Sequence, residues 1–412
     1  MKYCLLGEKL SHSYSKEIHE YLGLNYSLKE VSPCMIGDFA YSNEYCGYNV
    51  TIPYKKVIMN FLDEISDDAR SIGAVNTVVI KNGKRYGYNT DVLGLNYTLL
   101  RKGISLSGKT VMVLGTGGAS NAVRYVCEKS GAREIIIVGR TSPVNYQNCY
   151  EKTGVQVIFN ATPVGMYPNV SESPIDLSKF KNLEAVIDLI YNPQKTELIK
   201  QAEELKIVNS NGLPMLVEQA LCAEDLWLDK THDNKLTEEV IAKISKDKLN
   251  VCLWGMPSCG KSTLGKLVAK ELNREFFDLD EEIYKSTGKT PSEIINSEGE
   301  KVFRDIETKV LKQTVIKSRA VISLGGGAVI KEENRSIIKN NSVSVYVKRE
   351  LCSLVTDGRP LSVAKGVETL YNERKSFYET ADITVENNGD ITVAVKEIIK
   401  QYETTCFEWS KP

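Results

Sequence analysis

Gly255-Met-Pro-Ser-Cys-Gly260-Lys261-Ser262 has the spacing G-x-x-x-x-G-K-[ST], and each residue type in it has a task in phosphoryl transfer. Glycines let backbone N–H groups wrap a polyphosphate, Lys261 brings a point charge to the transferred group, and Ser262 offers an oxygen to Mg2+. Pro257, Ser258, Cys259 and Thr263 complete the loop and the turn after it, and are taken as nucleotide contacts with it. Downstream, Asp278 and Asp280 stand at i, i+2 in FFDLDEEI, a spacing that an extended segment turns to one side. One carboxylate could hold Mg2+ and the other could accept a hydrogen bond from an acceptor hydroxyl. A second cluster, Gly115-x-Gly117-Gly118-Ala119 with Ser120 in the last small position, is a variant of the loop that brings a dinucleotide pyrophosphate to a helix N-terminus. The apolar run that follows, EIIIVGR, ends in Arg140-Thr141-Ser142 instead of an acidic residue that would bind a ribose 2′-hydroxyl. A cationic, hydroxylic end suits a 2′-phosphate, so NADP(H) is expected over NAD(H).

Both loops need a strand before them and a helix after them. TVMVLGTGG is followed by a helical SNAVRYVCEKSG and then EIIIVGR; LNVCLWG is followed by KSTLGKLVAKEL, with Leu264, Leu267, Val268 and Leu272 on one side, and later by AVISLGGG. Such alternation predicts parallel α/β architecture throughout. The two glycine turns differ in spacing, so they belong to two folds and not to one repeat. LTEEVIAKISKDKLN (236 to 250) predicts a closing amphipathic helix with Val240, Ile241 and Ile244 on one face, giving way to polar SKDK before a strand at Val251. A domain boundary is placed there, near Asp247. The expected fold is a lobe at 1–100 and 213–245, a Rossmann-like dinucleotide domain at 101–212, a P-loop α/β domain with a parallel sheet at 248–405, and a tail at 406–412.

The 412 residues ask for two or three domains at roughly 150 residues each. Lys plus Arg total 52 against 53 Asp plus Glu, so there is no diffuse basic field for a nucleic-acid backbone. No apolar run reaches the ~18 residues of a membrane span, and MKYCLLGEKLSHSYS breaks its apolar stretch too early for a signal peptide. A cytosolic protein without membrane partners is expected; oligomeric state is not readable. Ten cysteines without a C-x-x-C pair, and three histidines (His12, His19, His232), argue against a zinc site or a disulfide framework. Cysteines scattered in this way read as small apolar residues in a reducing compartment.

From 250 to 400 the pattern resembles shikimate kinase: the phosphate loop, D-x-D at Asp278 and Asp280, F-R at Arg304, Gly325-Gly326-Gly327 after AVISL, R-P-L at Arg359, and E-R-x-x-x-Y from Arg374 to Tyr378. The resemblance implies that Asp280, Arg304, Gly325, Gly326, Gly327 and Arg374 grip shikimate. It also implies that Ser262 and Asp278 hold Mg2+, that Lys261 and Asp280 serve catalysis, and that Arg359 closes a lid on ATP. The segment between Arg359 and Arg374 is shorter than the family norm.

The first 245 residues carry LSHSYS, NVTIPYKK, AVNT, YNTDVLG, NATPVGM, DLIYNPQKT and NGLPMLVEQA, and in that order they resemble shikimate dehydrogenase. The resemblance implies that Ser13, Ser15, Thr51, Asn76, Asp91 and Gln219 bind the hydroxyls and carboxylate of shikimate with Tyr191 nearby. Lys55 and Asp91 become the catalytic pair, and Gly212 joins the NADP contacts. Lys16 replaces the usual Pro, Gly139 stands where Asn is common, and the stretch from Pro143 to NATP is short, which predicts a trimmed nucleotide domain with weaker cofactor binding. Together the resemblances imply NADPH-dependent reduction of 3-dehydroshikimate followed by ATP- and Mg2+-dependent phosphorylation of shikimate. The rivals are a quinate- or NAD-preferring first half, and a ligand sensor without chemistry.

Overall fold

The computed structural model describes residues 1–10, 13–355 and 366–410, so Arg359 lies outside the described residues. The chain forms two compact units, Met1–Met166 with Glu172–Ile244, and Tyr167–Ser171 with the chain from Ser245 onward.

The first unit holds two sheets. β1 (Tyr3–Gly7), β2 (Tyr26–Glu30), β3 (Gly47–Val50), β4 (Glu64–Ile65), β5 (Thr77–Lys81) and β6 (Lys84–Tyr88) form a mixed sheet in the order β2-β1-β3-β5-β6-β4. β1 is parallel to β2 and β3, whereas β5 is antiparallel to both β3 and β6. The parallel alternation expected throughout therefore fails in this lobe. Asn82-Gly83 is the cause: both residues take positive φ, 53° and 76°, the two-residue turn that folds β6 back on β5.

β7 (Thr110–Leu114), β8 (Glu134–Val138), β9 (Val157–Asn160), β10 (Ala185–Asp188) and β11 (Val208–Ser210) form an all-parallel sheet in the order β11-β10-β9-β7-β8. β7, β9 and β10 are buried along their whole length, as strands covered on both faces must be. Dinucleotide folds of order 3-2-1-4-5-6 have a further strand outside the second. Here residues 139–156 provide only an isolated bridge from Val138 to Val144 and one helical turn at Cys149–Glu151, so the sheet ends at β8.

The second unit is one parallel sheet of β12 (Asn250–Trp254), β13 (Glu275–Asp278), β14 (Ala320–Ser323), β15 (Ser342–Lys348) and β16 (Ile383–Glu386), in the order β13-β14-β12-β15-β16. One apolar core gathers Trp254, Phe303, Tyr346 and Tyr378, and another gathers Leu264, Val268, Ile398 and Tyr402. The reversal of strand order beside β12 opens a crevice at its C-terminal end, where the phosphate loop begins.

Two expectations about the chain's organisation need correction. The closing helix expected over 236–250 runs Asn234–Lys248, so the polar junction at Ser245 to Lys248 is its last turn and not a break after it. Val240, Ile241 and Ile244 of that helix are buried in a core of the first unit, and Ser245 is itself buried. Residues 406–410, expected as a tail, extend the helix Ile391–Ser410, with Cys406 in a core because it continues that helix's apolar stripe. Among the described residues no helix is long and apolar enough to cross a membrane.

Candidate active sites

In the first unit a cleft of about 550 Å3 is lined by Ser13, Ser15, Thr51, Lys55, Asn76, Asp91, Ala119, Tyr191, Gly212 and Gln219. Each comes from the end of an element: Ser15 starts the helix Ser15–Tyr21, Thr51 and Lys55 follow β3, Asn76 precedes β5, and Asp91 starts the helix Asp91–Arg101. Tyr191 follows β10, and Gln219 lies in the helix Leu213–Leu228. Side chains far apart in sequence meet because strand ends of both sheets of this unit open on the cleft.

Lys55 Nζ lies 2.6 Å from Asp91 Oδ2, and Asn76 Nδ2 donates to Asp91 Oδ1 at 2.8 Å. Both carboxylate oxygens are thus held. Asn76 Oδ1 accepts from the Thr90 amide at 2.7 Å. Behind it, Tyr26 donates to Asn49 Oδ1 at 2.7 Å, and Asn49 Nδ2 donates to Thr77 Oγ1 at 3.1 Å, which donates to Asn76 at 3.1 Å. This buried chain fixes the Asp91 carboxylate at one remove. Lys55 remains 23% exposed by side chain, so it can be reached from the cleft. Ser13 Oγ and Ser15 Oγ are 3.1 Å apart. Tyr191 packs against Tyr14 with ring centroids 5.0 Å apart, and burial pushes its phenol up to about 12, which keeps it a neutral donor at ordinary pH.

The dinucleotide loop leaves β7 through Gly115 and enters the helix Gly118–Lys129. A Cβ added at Gly117 or Gly118 would meet nothing within 4 Å, so the helix N-terminus is open to an anion, as a pyrophosphate requires. Gly212 has a different reason to be glycine: a Cβ there would fall 2.1 Å from the Leu189 carbonyl. Arg140 and Thr141 are exposed in the turn after β8, outside the cleft, and among the described residues Arg140 has no ion-pair partner. A free guanidinium at the end of the second strand fits a 2′-phosphate. The ends of β9 and β10 are tied together by Asp188, which accepts from Asn160 Nδ2 at 2.9 Å, the Ile190 amide at 3.1 Å and the Thr196 hydroxyl at 2.6 Å. Burial pushes its carboxyl up to about 7 even against these three donors.

In the second unit a cleft of about 350 Å3 is lined by Ser258, Gly260, Lys261, Ser262, Thr263, Asp278, Asp280, Gly325 and Gly326, together with Ser323 and Arg349. Gly255, Pro257 and Cys259 lie in the same loop; the Cys259 carbonyl accepts from Asn387 Nδ2 at 2.8 Å. Lys261 is folded back on its loop, donating to the carbonyls of Met256 at 2.8 Å and Gly255 at 3.1 Å. Ser262 Oγ donates to Asp278, which gives the hard oxygen pair that suits Mg2+.

The extended placement expected for Asp278 and Asp280 is not observed. Asp278 ends β13 and caps the next helix, accepting from the Asp280 amide at 3.1 Å, while Asp280 sits in the first turn of Leu279–Thr287. An Asp before an apolar helical stretch is a preferred N-cap, and here that preference outweighed extension of the strand. Both carboxylates still border the cleft.

Arg304 donates to Glu307 Oε2 at 2.8 Å and to Glu300 Oε1 at 3.1 Å. Its guanidinium lies so close over Gly327 that a Cβ there would be 2.2 Å from Nη2, so only glycine admits the arginine. Arg374 is buried, and its Nε has no acceptor. Tyr378 donates to the Gly326 carbonyl and braces the glycine turn. Glu307 escaped notice in the sequence: it is fully buried, and burial raises its carboxyl, with Arg304 pulling the other way. Its i+3 spacing from Arg304 was the only available signal. Arg349, at the rim of the cleft, carried none.

The shikimate kinase family model matches residues 257–403, and the shikimate dehydrogenase substrate binding domain matches residues 5–78. A shikimate dehydrogenase (NADP(+)) of Clostridium beijerinckii is 38% identical over 257 residues, which cover 57% of this chain and 95% of that protein. The crystal structure of shikimate dehydrogenase 1 from Peptoclostridium difficile superposes with a TM-score of 0.55 at 37% identity, covering 59% of this chain and 97% of that one. A chorismate mutase/shikimate 5-dehydrogenase fusion protein from Clostridium acetobutylicum gives 0.55 at 38% identity, covering 58% and 94%. The chain belongs to the shikimate dehydrogenase family through its first unit and carries a shikimate kinase domain in its second.

Proposed function

We propose that the chain performs two consecutive reactions, reduction of 3-dehydroshikimate to shikimate with NADPH and phosphorylation of shikimate at its 3-hydroxyl with ATP and Mg2+. The observation that carries the first step is the Lys55–Asp91 contact of 2.6 Å inside a cleft rimmed by hydroxyl and amide groups. NADPH supplies a hydride when bound. As the carbonyl carbon takes it, negative charge grows on oxygen, and Lys55 holds the proton that neutralises it while Asp91 aims the ammonium group. Ser13, Ser15, Thr51, Asn76, Tyr191 and Gln219 bind and orient the polyol. Gly115, Gly117, Gly118, Ala119, Arg140, Thr141 and Gly212 serve the cofactor.

For the second step, Ser262 and Asp278 offer oxygens to the metal, and Lys261 leaves its loop carbonyls to meet phosphate oxygens. Asp280 accepts the hydrogen bond of the acceptor hydroxyl, and Arg304 and Arg374 face its carboxylate. We assign the dehydrogenase to residues 1–247 and the kinase to 248–405, and a cytosolic location, which ten unpaired cysteines suit. A quinate- or NAD-preferring first unit is the competing reading. Initial rates with shikimate and quinate, each with NADP+ and NAD+, decide between them: the proposal requires shikimate with NADP+ to give the highest kcat/KM, and a higher value for quinate or NAD+ would overturn it.

A further inference from the structure

Outside both clefts, the helix Leu213–Leu228 turns Glu218 and Cys222 to one face at i, i+4, and the chain beyond it brings His232 back against them. Cys222 Sγ lies 3.6 Å from Glu218 Oε1, and His232 Nε2 lies 3.1 Å from Glu218 Oε2. One ligand atom from each residue fits within a span of 4.8 Å. Bonds of ~2.0–2.3 Å to a tetrahedral ion put its ligand atoms roughly 3.3–3.7 Å apart, so an ion would have to draw the widest pair in by roughly an ångström.

The groups behind these three are arranged as a metal site needs them. Asp225 Oδ2 lies 2.7 Å from His232 Nδ1 and holds the ring with its Nε2 edge toward Glu218. Thr237 Oγ1 donates to Glu218 Oε2 at 2.8 Å and orients that carboxylate. Of the three ligands Cys222 borders a separate cleft of about 570 Å3, the route by which an ion would reach the site. We propose that Glu218, Cys222 and His232 bind a zinc ion, with water as the fourth ligand. The mixed S, N, O donor set selects zinc over magnesium, whose hard-oxygen site is the pair Ser262 and Asp278. The scarcity of histidine and the lack of C-x-x-C hid this site in the sequence, since its ligands come from one helix face and a turn ten residues further on. A bound ion would clamp that turn to the helix that presents Gln219 to the polyol cleft.

The test uses the full chain, stripped with a chelator and titrated with Co2+ as the spectroscopic substitute for Zn2+. One equivalent should produce a thiolate-to-cobalt charge-transfer band and give it up to added Zn2+. Cys222→Ser and His232→Gln should each abolish the band, and Asp225→Asn should keep it but demand ~10–100-fold more metal. Zn2+ should also raise the Tm of the native chain and not that of either ligand variant. If Cys222→Ser fails to fold, His232→Gln carries the comparison. Absence of the band, or its survival in the ligand variants, would overturn the site and leave His232 as a plain ion-pair partner of Glu218 and Asp225.

Discussion

Lys55 is placed by hydrogen bonds and not by the cleft's shape, so its removal is the sharpest change available at a single residue. Lys55→Ala should lower dehydrogenase kcat by ~10² or more with a smaller change in KM, because the proton donor goes while the hydroxyl contacts stay. Kinase turnover should be untouched. Steady-state kinetics of both reactions on the same preparation check this, and an unchanged reduction rate would remove Lys55 from the chemistry. Arg140 makes the opposite kind of contribution. A charge-assisted hydrogen bond of about 1.5–3 kcal/mol predicts that Arg140→Ala raises KM for NADPH by roughly tenfold or more while leaving KM for NADH nearly unchanged. Equal losses with both cofactors would show that the exposed guanidinium reads no phosphate.

At the scale of elements, the ends of β9 and β10 are tied together by a buried carboxyl. Burial, outweighing its three donors, pushes the Asp188 carboxyl up to about 7 from its ordinary 3.8. The folded state therefore binds more protons than the unfolded one between those values, and stability falls as pH rises from about 4 through 7, at up to ~1.4 kcal/mol per pH unit. Asp188→Asn keeps an acceptor for Asn160 and the Ile190 amide, and the Thr196 hydroxyl can turn to accept. Urea unfolding between pH 5 and 8 should show the variant losing less stability over that range than the native chain; parallel curves would contradict the assignment. β7, β8, β12 and β14 were legible because each is a short apolar run bounded by glycine or a helix start, whereas β11 (VNS) and β13 (EFFD) carry no such run. The lobe's hairpin is written in the sequence at Asn82-Gly83, a two-residue turn that a pattern of alternating strands and helices does not contain. The Asp278 cap shows the limit of a period-2 argument: spacing alone does not say whether the strand continues. Glu307 and Thr77 were not legible because they act through other side chains, and one sequence holds no record of which side chains meet.

At the scale of the molecule, the helix Asn234–Lys248 changes where the chain can be cut. Arg274 Nη2 and the Tyr402 hydroxyl donate to the Lys246 carbonyl at 2.9 and 2.7 Å, and Lys246 Nζ pairs with Glu403 at 2.6 Å. A kinase fragment beginning at Ser245 should thus be more stable than one beginning at Lys248, by ~1–3 kcal/mol for the donors left without an acceptor. Denaturant midpoints of the two fragments give the comparison, and equal midpoints would mean those bonds contribute nothing. The central claim is that one chain holds two working sites in series. Its most direct test is to incubate the purified full-length protein with 3-dehydroshikimate, NADPH, ATP and Mg2+ and identify the products by mass. Shikimate 3-phosphate should accumulate with native protein, shikimate alone with Lys261→Ala, and unreacted 3-dehydroshikimate with Lys55→Ala. Native protein that stops at shikimate, or phosphorylates nothing when supplied with shikimate directly, would contradict the account.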